Sequence, residues 1–195
     1  MDFGFVTLHF CTPLAVNAKD CLNSYGIIAL IWRIRMKILV VSDTHGSMYH
    51  LERLLNERKD FSRILHLGDI EGEADYLEAL AECPVDIVAG NNDYEYDLPR
   101  EKVITVGGHT IFMAHGHAHM VNYSKERLLT AAIQRGAEVA LFGHTHVPFF
   151  DDTRCVTLLN PGSISKPRQV NRLPSYAVIE IDREGRMDMG IHYIE

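Results

Sequence analysis

From Met36 onward the chain is a series of short apolar runs separated by polar, glycine-bearing breaks. Ile38 to Ser42, Ile64 to Leu67, Val85 to Ala89 and Ile111 to Ala114 are nearly continuous in apolar residues, as strands buried on both faces are. Val139 to Phe142 reads the same way. Between the first strands the period changes. Met48, Leu51, Leu54 and Leu55 recur at helical spacing, and so do Ala74, Leu77, Leu80 and Ala81. Alternating strands and helices predict an α/β layered fold with a largely parallel sheet. After Gly90 the rhythm shifts. Lys102 to Val106 and Thr110 to Ala114 flank Gly107-Gly108-His109, which predicts a hairpin. A helix is expected over Leu128 to Ile133, with Gly136 able to cap it. Short strands are expected at Cys155 to Leu159, Tyr176 to Ile181 and Met187 to Tyr193. The antiparallel strands of this half are expected to form a second sheet packed on the first.

Residues 1–35 do not share this pattern. Their apolar stretch, Tyr25 to Trp32, is about eight residues long, against the roughly 20 that span a bilayer. No basic residue precedes Lys19, and no small-residue cleavage site follows the apolar run, so a secretory signal is not indicated. The expected organisation is a poorly ordered N-terminal extension over 1–35, from an upstream in-frame start, followed by one domain over 36–195.

Composition narrows the class. The 195 residues are 47% hydrophobic and 23% charged, an ordinary globular balance with enough chain for a substantial core. A net charge of −7 argues against a nucleic-acid-coating surface and leaves open a small phosphate ester held by cations. Cys11, Cys21, Cys83 and Cys155 show no C-x-x-C spacing and make no disulfide framework, so a reducing, cytoplasmic setting is expected. No membrane association is expected. A homo-oligomer is compatible with the sequence.

The chemistry lies in five clusters at or just past the ends of the apolar runs. They are Asp43-Thr44-His45, Gly68-Asp69, Gly90-Asn91-Asn92-Asp93, His115-Gly116-His117 and Gly143-His144-Thr145-His146. Strand ends converge on one edge of a sheet, and an edge rich in carboxylate, imidazole and amide groups suits hard or borderline divalent cations. In an extended segment residues i and i+2 point the same way, so Asp43 and His45 can both bind one ion, and His144 and His146 are imidazole ligands at the same i, i+2 spacing. Asp69 has two carboxylate oxygens and can bridge two ions, and Asn91 offers a neutral carbonyl oxygen. Any one of these pieces occurs by chance in turns. The ordered set of five does not.

Together these clusters resemble the calcineurin-like metallophosphoesterases, and the short chain with Asn160-Pro161-Gly162-Ser163 resembles their small prokaryotic phosphodiesterase branch. The resemblance covers about Met36 to Glu195. It implies an α/β fold, a two-sheet β-sandwich flanked by helices in four layers, and hydrolysis of phosphate esters at a dinuclear centre, with Mn²⁺ the expected metal. By motif position it implies Asp43, His45 and His146 on one ion, Asn91, His115 and His144 on the other, and Asp69 between them. Two ions at about 3.5–4 Å can clamp the attacking and leaving oxygens of an in-line displacement, with a bound hydroxide as nucleophile.

One position departs from the pattern. Many relatives have His where this chain has Asn92, and an amide cannot protonate a leaving group. His117 is the candidate catalytic substitute, with a ligand-orienting role as its alternative; Asn92 and Asp93 are read as residues that orient ligands. His119 is expected to be solvent-exposed or on a loop lip. His50 and His66 are expected to be ordinary helix and strand histidines. Asn160 to Ser163 is read first as a strand-end turn. The leading function is a metal-dependent phosphodiesterase acting on a small phosphoester. The alternatives are a phosphomonoesterase or nucleotide-pyrophosphate hydrolase, and a non-catalytic protein-binding scaffold of the same fold.

Overall fold

A computed structural model describes residues 34–94 and 97–195. The expected N-terminal extension falls outside them, apart from the start of the first strand. Ten strands and three helices follow in order: β1 (Ile34–Val41), α1 (Tyr49–Glu57), β2 (Arg63–His66), α2 (Ala74–Leu80), β3 (Val85–Ile87), β4 (Glu101–Val106), β5 (His109–Ala114), α3 (Glu126–Gln134), β6 (Val139–Leu141), β7 (Phe149–Asp151), β8 (Thr157–Asn160), β9 (Ser175–Asp182) and β10 (Met187–Tyr193).

The strands form two five-stranded sheets, in the orders β10-β9-β1-β2-β3 and β4-β5-β6-β8-β7. In the first sheet β1, β2 and β3 are parallel, and β9 and β10 add antiparallel. In the second, β5, β6 and β8 are parallel between antiparallel edges β4 and β7.

The apolar runs explain the layering. Along β1, Ile38 and Val40 face the second sheet and pack with Leu65, Ile111, Met113, Val139 and Leu141. Leu39 and Val41 face the other way, onto Leu51, Leu54 and Leu55 of α1 and Leu77 of α2. On the far side, Phe112, Ala140 and Leu158 meet Leu128 and Ala132 of α3. Each sheet is therefore covered on both faces, and an α–β–β–α stack of four layers results.

One expectation needs correction, and one strand went unexpected. Strands β9 and β10 belong to the first sheet, not the second. Strand β9 is buried from Ser175 to Ile179 and pairs with β1 in the register Ile38↔Ile179, so it is a central strand. The antiparallel strands of the second half are thus divided between the sheets. Strand β7 has only three residues and carries no apolar pattern, so nothing in the sequence marked it.

Candidate metal centre

The five clusters occupy the loops after β1, β2, β3, β5 and β6. They therefore come from both sheets, three loops from one and two from the other, rather than from the edge of a single sheet. The backbone in these loops is not extended. Asp43, His45, Asp69, His144 and His146 have φ values of 56°, 48°, 54°, 68° and 58°. Left-handed conformations at non-glycine residues cost of order 1 kcal/mol or more each and persist where surrounding contacts dictate them. Here Asp43 N–H donates to the Gly68 carbonyl at 3.0 Å and His45 N–H to the Asp69 carbonyl at 2.8 Å. The i, i+2 argument accordingly fails as geometry. Asp43 and His45 do converge, with Nε2 to Oδ1 at 4.0 Å, but through a strained turn. His144 and His146 diverge. His146 Nε2 lies 3.2 Å from Asp43 Oδ1, whereas His144 Nε2 accepts from the Asn122 amide at 2.9 Å.

Close approach of the loops depends on bare backbone, and two of the glycines concerned lie against the carboxylates. A Cβ on Gly90 would collide with the carboxylate and backbone nitrogen of Asp69, and one on Gly143 would collide with the Ser42 hydroxyl and press on Asp43. The carboxylates are placed as a consequence of bare backbone beside them.

Ring orientation is dictated by the outer nitrogens. Nδ1 of His115 lies 2.7 Å from the Leu67 carbonyl, Nδ1 of His146 lies 2.6 Å from the Lys166 carbonyl, and Nδ1 of His45 lies 2.6 Å from Glu71 Oε1. These oxygens only accept, so each Nδ1 carries the proton and each Nε2 presents a lone pair. The three lone pairs face the carboxylates. His115 Nε2 is 3.5 Å from Asp69 Oδ2 and 3.9 Å from Asp43 Oδ1, and His45 Nε2 is 3.7 Å from Asp69 Oδ2. His115 Nε2 also meets Asn91 Oδ1 at 3.2 Å. Two groups emerge whose ligand atoms all lie within 4.8 Å of one another: Asp43, His45 and His146, and Asp43, Asp69 and His115.

The donor set fits a divalent cation. Asp43 is fully buried, and its Oδ1 has no hydrogen-bond partner. His45 Nε2 and His146 Nε2 stand 3.0 Å apart, where two lone pairs repel unless a proton or cation lies between them. Among the described residues, the ion-pair partners of Asp43 and Asp69 are histidines alone. Buried carboxylates without a lysine or arginine need positive charge from elsewhere.

The electrostatics follow. Burial pushes Asp69 upward, but the His115 ring, the Asn92 N–H and the His45 ring outweigh it and hold the carboxyl well below its usual range. Asp43 is lowered in the same way, with His146 and His115 overcoming burial. Burial pushes His115 down, and Asp69 and Asp43 more than reverse this. Burial and the neighbouring His115 lower both His117 and His144.

Asn92 and Asp93 hold other groups in place. The Asn92 side-chain amide donates to Asp69 Oδ2 at 3.0 Å, its backbone N–H donates to Asp69 Oδ1 at 2.9 Å, and its carbonyl oxygen accepts from the Asn91 amide at 3.2 Å. The Asp93 carboxylate accepts from the N–H groups of Asp69, Gly90 and Glu71 at 2.7, 2.7 and 2.8 Å. His117 lies half-buried beside His115 and His144, with ring centroids 5.5 and 6.2 Å away, and its buried Nδ1 has no partner.

Several supporting residues escaped the sequence reading. Glu71 and Asn122 carry no motif. His66 is fully buried, accepts from Gly68 N–H at 3.2 Å through Nδ1, and lies 3.1 Å from the Thr44 hydroxyl through Nε2. It props the Asp43–His45 turn. Asn160 to Ser163 is buried throughout and does more than turn the chain. Asn160 donates to the Gly143 carbonyl at 2.8 Å, and the hydroxyls of Ser163 and Ser165 donate to the Asp43 carbonyl at 2.8 and 3.0 Å. The Asn-Pro-Gly-Ser spacing was the available signal. His119 lies in a loop but is not solvent-exposed. It is 8% exposed and reaches Glu101 at 3.2 Å, and Glu101 in turn pairs with Arg135. That contact ties the loop bearing His117 and Asn122 to β4 and the end of α3.

Residues 36–184 match the calcineurin-like phosphoesterase superfamily domain. The chain belongs to that family. It is a metallophosphoesterase, a metal-dependent hydrolase of phosphate esters. It is 33% identical over 150 residues to the probable metallophosphoesterase YsnB of Bacillus subtilis, covering 76% of this chain and 86% of that protein. It is 29% identical over 172 residues to the phosphodiesterase YfcE of Escherichia coli, covering 75% and 89%. The crystal structure of a conserved protein from Streptococcus pneumoniae, a predicted phosphoesterase, superposes with a TM-score of 0.67 at 28% identity, covering 82% of this chain and 98% of that one. No helix among the described residues of this metallophosphoesterase is long and apolar enough to cross a membrane.

Proposed function

We propose that this metallophosphoesterase hydrolyses a small phosphodiester at a dinuclear centre, with Mn²⁺ as the preferred metal. The carrying observation is the set of three imidazoles whose Nδ1–H groups are tied off and whose Nε2 lone pairs face two buried carboxylates. Asp43, His45 and His146 would hold one ion, Asn91, His115 and His144 the other, with Asp69 between them. Bound there, the two ions would supply a water of lowered pKa and neutralise charge on the phosphoryl oxygens.

The chain's own residues do the rest. Asn92 aims both oxygens of Asp69 and turns the Asn91 carbonyl toward His115. Glu71, Leu67 and Lys166 keep three rings in the tautomer that presents Nε2. In hydrolysis an oxygen–phosphorus bond forms from water, the bond to the leaving oxygen breaks, and that oxygen takes a proton. Asn92 cannot supply it, and its amide is committed to Asp69 and Asn91. His117 is the residue proposed to carry the proton. The buried chemistry favours a diester with a good leaving group, and the phosphodiesterase YfcE among the relatives supports the same class. A protein-binding scaffold needs neither these tautomers nor an unpartnered buried carboxylate oxygen. A cytoplasmic setting accords with the free thiols of Cys83 and Cys155.

The test is metal removal and return. Chelated protein should lose hydrolysis of bis-aryl phosphates, bind two Mn²⁺ per chain on titration, and recover better with Mn²⁺ than with Mg²⁺ or Ca²⁺. Mono-aryl phosphates should be the poorer substrates. Full activity in the chelated protein would overturn the reading.

A further inference from the structure

Beside the ligand cluster the surface opens into a cleft of about 410 Å³, walled by Gly90, Asn91, Tyr94, Leu98, Arg100 and His117. That is large enough for a compact organic group, at the lower end of small-molecule sites. It is continuous with the centre through Asn91, whose carbonyl oxygen lies 3.2 Å from His115 Nε2. Leu98 and the exposed ring of Tyr94 give the wall an apolar part.

Its charge is the informative feature. Arg100 is the single lysine or arginine among the described residues of the wall, in a chain of net charge −7. Among the described residues no carboxylate is paired with its guanidinium. Among the described residues of the wall the one carboxylate is Asp93, and both its oxygens are occupied by backbone N–H groups of Asp69, Gly90 and Glu71, so it is turned to the loops rather than to Arg100. An acidic protein thus presents, among its described residues, a guanidinium fork with no carboxylate partner next to a site for a phosphoester. A planar fork of N–H donors matches carboxylate or phosphate oxygens in pairs.

We propose that this cleft receives the leaving side of the substrate, and that Arg100 selects leaving groups bearing a second anionic group at their far end. The assignment rests on the phosphodiesterase reading of the adjoining centre. The leaving side is favoured over the retained side because His117, the residue proposed to carry its proton, stands on the same wall as Arg100. The substrate class is then a phosphodiester or phosphoanhydride whose departing fragment is itself an anionic organic molecule, a carboxylate or a further phosphate.

The test uses a set of methyl aryl phosphates with Mn²⁺-loaded protein. The aryl group carries a para carboxamide, a para carboxylate or a para phosphonomethyl group. The wild type should prefer the anionic leaving groups by roughly tenfold in kcat/KM, a size suited to one charge-assisted contact at an exposed site. Whichever of the two anions is preferred identifies the source. In Arg100→Gln the anionic-to-neutral ratio should fall to near one, and Arg100→Lys should keep part of it. Arg100 is exposed, so neither change threatens folding. Phosphonate isosteres of the same three probes, whose carbon–phosphorus bond is not cleaved, give a second readout by calorimetry. If no probe is hydrolysed, the phosphodiesterase reading falls, and the isosteres still decide the pocket. Equal binding of neutral and anionic isosteres, or a preference that survives Arg100→Gln, overturns the assignment.

Discussion

Around Asp43, the rings of His45 and His146 have their protons tied outward and their lone pairs turned in, 3.0 Å from each other. Around Asn91 the construction is looser. His115 is oriented with equal care, but His144 turns Nε2 to the Asn122 amide at the exposed side of the cluster. The sequence presents the two halves alike, as clusters of Asp, Asn and His. The structure makes one a preformed pocket and leaves the other with a ring whose Nε2 already has a partner. An ion entering the first half finds its ligands in place, whereas one entering the second must compete with Asn122. For the proposed two-ion centre the expectation is stepwise occupancy, with the Asp43 half filling first.

The strongest way to break this comparison is to remove the carboxylate proposed to lie between the two ions. Asp69→Ala should eliminate both tightly held ions and reduce turnover by at least about 10³-fold. His45→Ala should lose one ion and retain more activity. Metal stoichiometry measured with the rate distinguishes these, and two retained ions in Asp69→Ala would show that the carboxylate is not shared.

Asn92→His tests the bracing. The substitution removes the amide that links Asp69 to Asn91, and loss of such a link typically costs about 10–100-fold in metal affinity or activity. Rates on good leaving groups should fall by that order. Poor leaving groups should fall less, because an imidazole at this position can give a proton. A uniform fall would mean that His117 already does so, and His117→Ala should then penalise poor leaving groups most.

Asn122→Ala sharpens the asymmetry. Without its amide partner, His144 Nε2 is available, so the second ion should bind several-fold more tightly on titration. The first ion should be unaffected. Weaker binding would instead make Nδ1 the ligand atom and Asn122 its orienting partner.

The smallest effect concerns His66 and is read in chelated protein. Burial drives its pKa down to about 4 from 6.5, so the folded state resists its protonation. A group depressed in this way contributes nothing above pH 6.5. As pH falls from 6.5 to about 4 the unfolded chain takes up a proton that the folded chain refuses, and stability drops by at most about 3 kcal/mol. Denaturant unfolding of His66→Gln should show a shallower loss across that window. Parallel profiles would remove His66 from the account.

Much of the fold was legible because burial on both faces writes itself as unbroken apolar runs, and Ile38 to Val41 and Ile111 to Ala114 could be little else. Sheet membership was not legible for β9, since a central strand and a strand of a second sheet read alike until the partner is known. At the site, residue types were legible and directions were not. Nothing near His146 announces that Lys166 holds its proton, or near Asp43 that Ser163 grips its carbonyl. Those contacts span 20 and 120 residues. Left-handed backbone at five candidate ligands likewise arises from such distant grips and leaves no local trace.

The pairing of β9 with β1 also bears on how the chain is made. The first sheet begins with Ile34–Val41, and the strand that covers one flank of β1 ends at Asp182. At about 5–20 residues per second, the ribosome delivers that partner on the order of ten to thirty seconds after β1. Throughout that interval a nascent β1 can pair with β2 on one side while its other row of N–H and C=O groups stays open, the condition that invites pairing with another chain. A chain released after His146 but before Ser175 would keep that edge for good, although all the candidate metal ligands had already been translated.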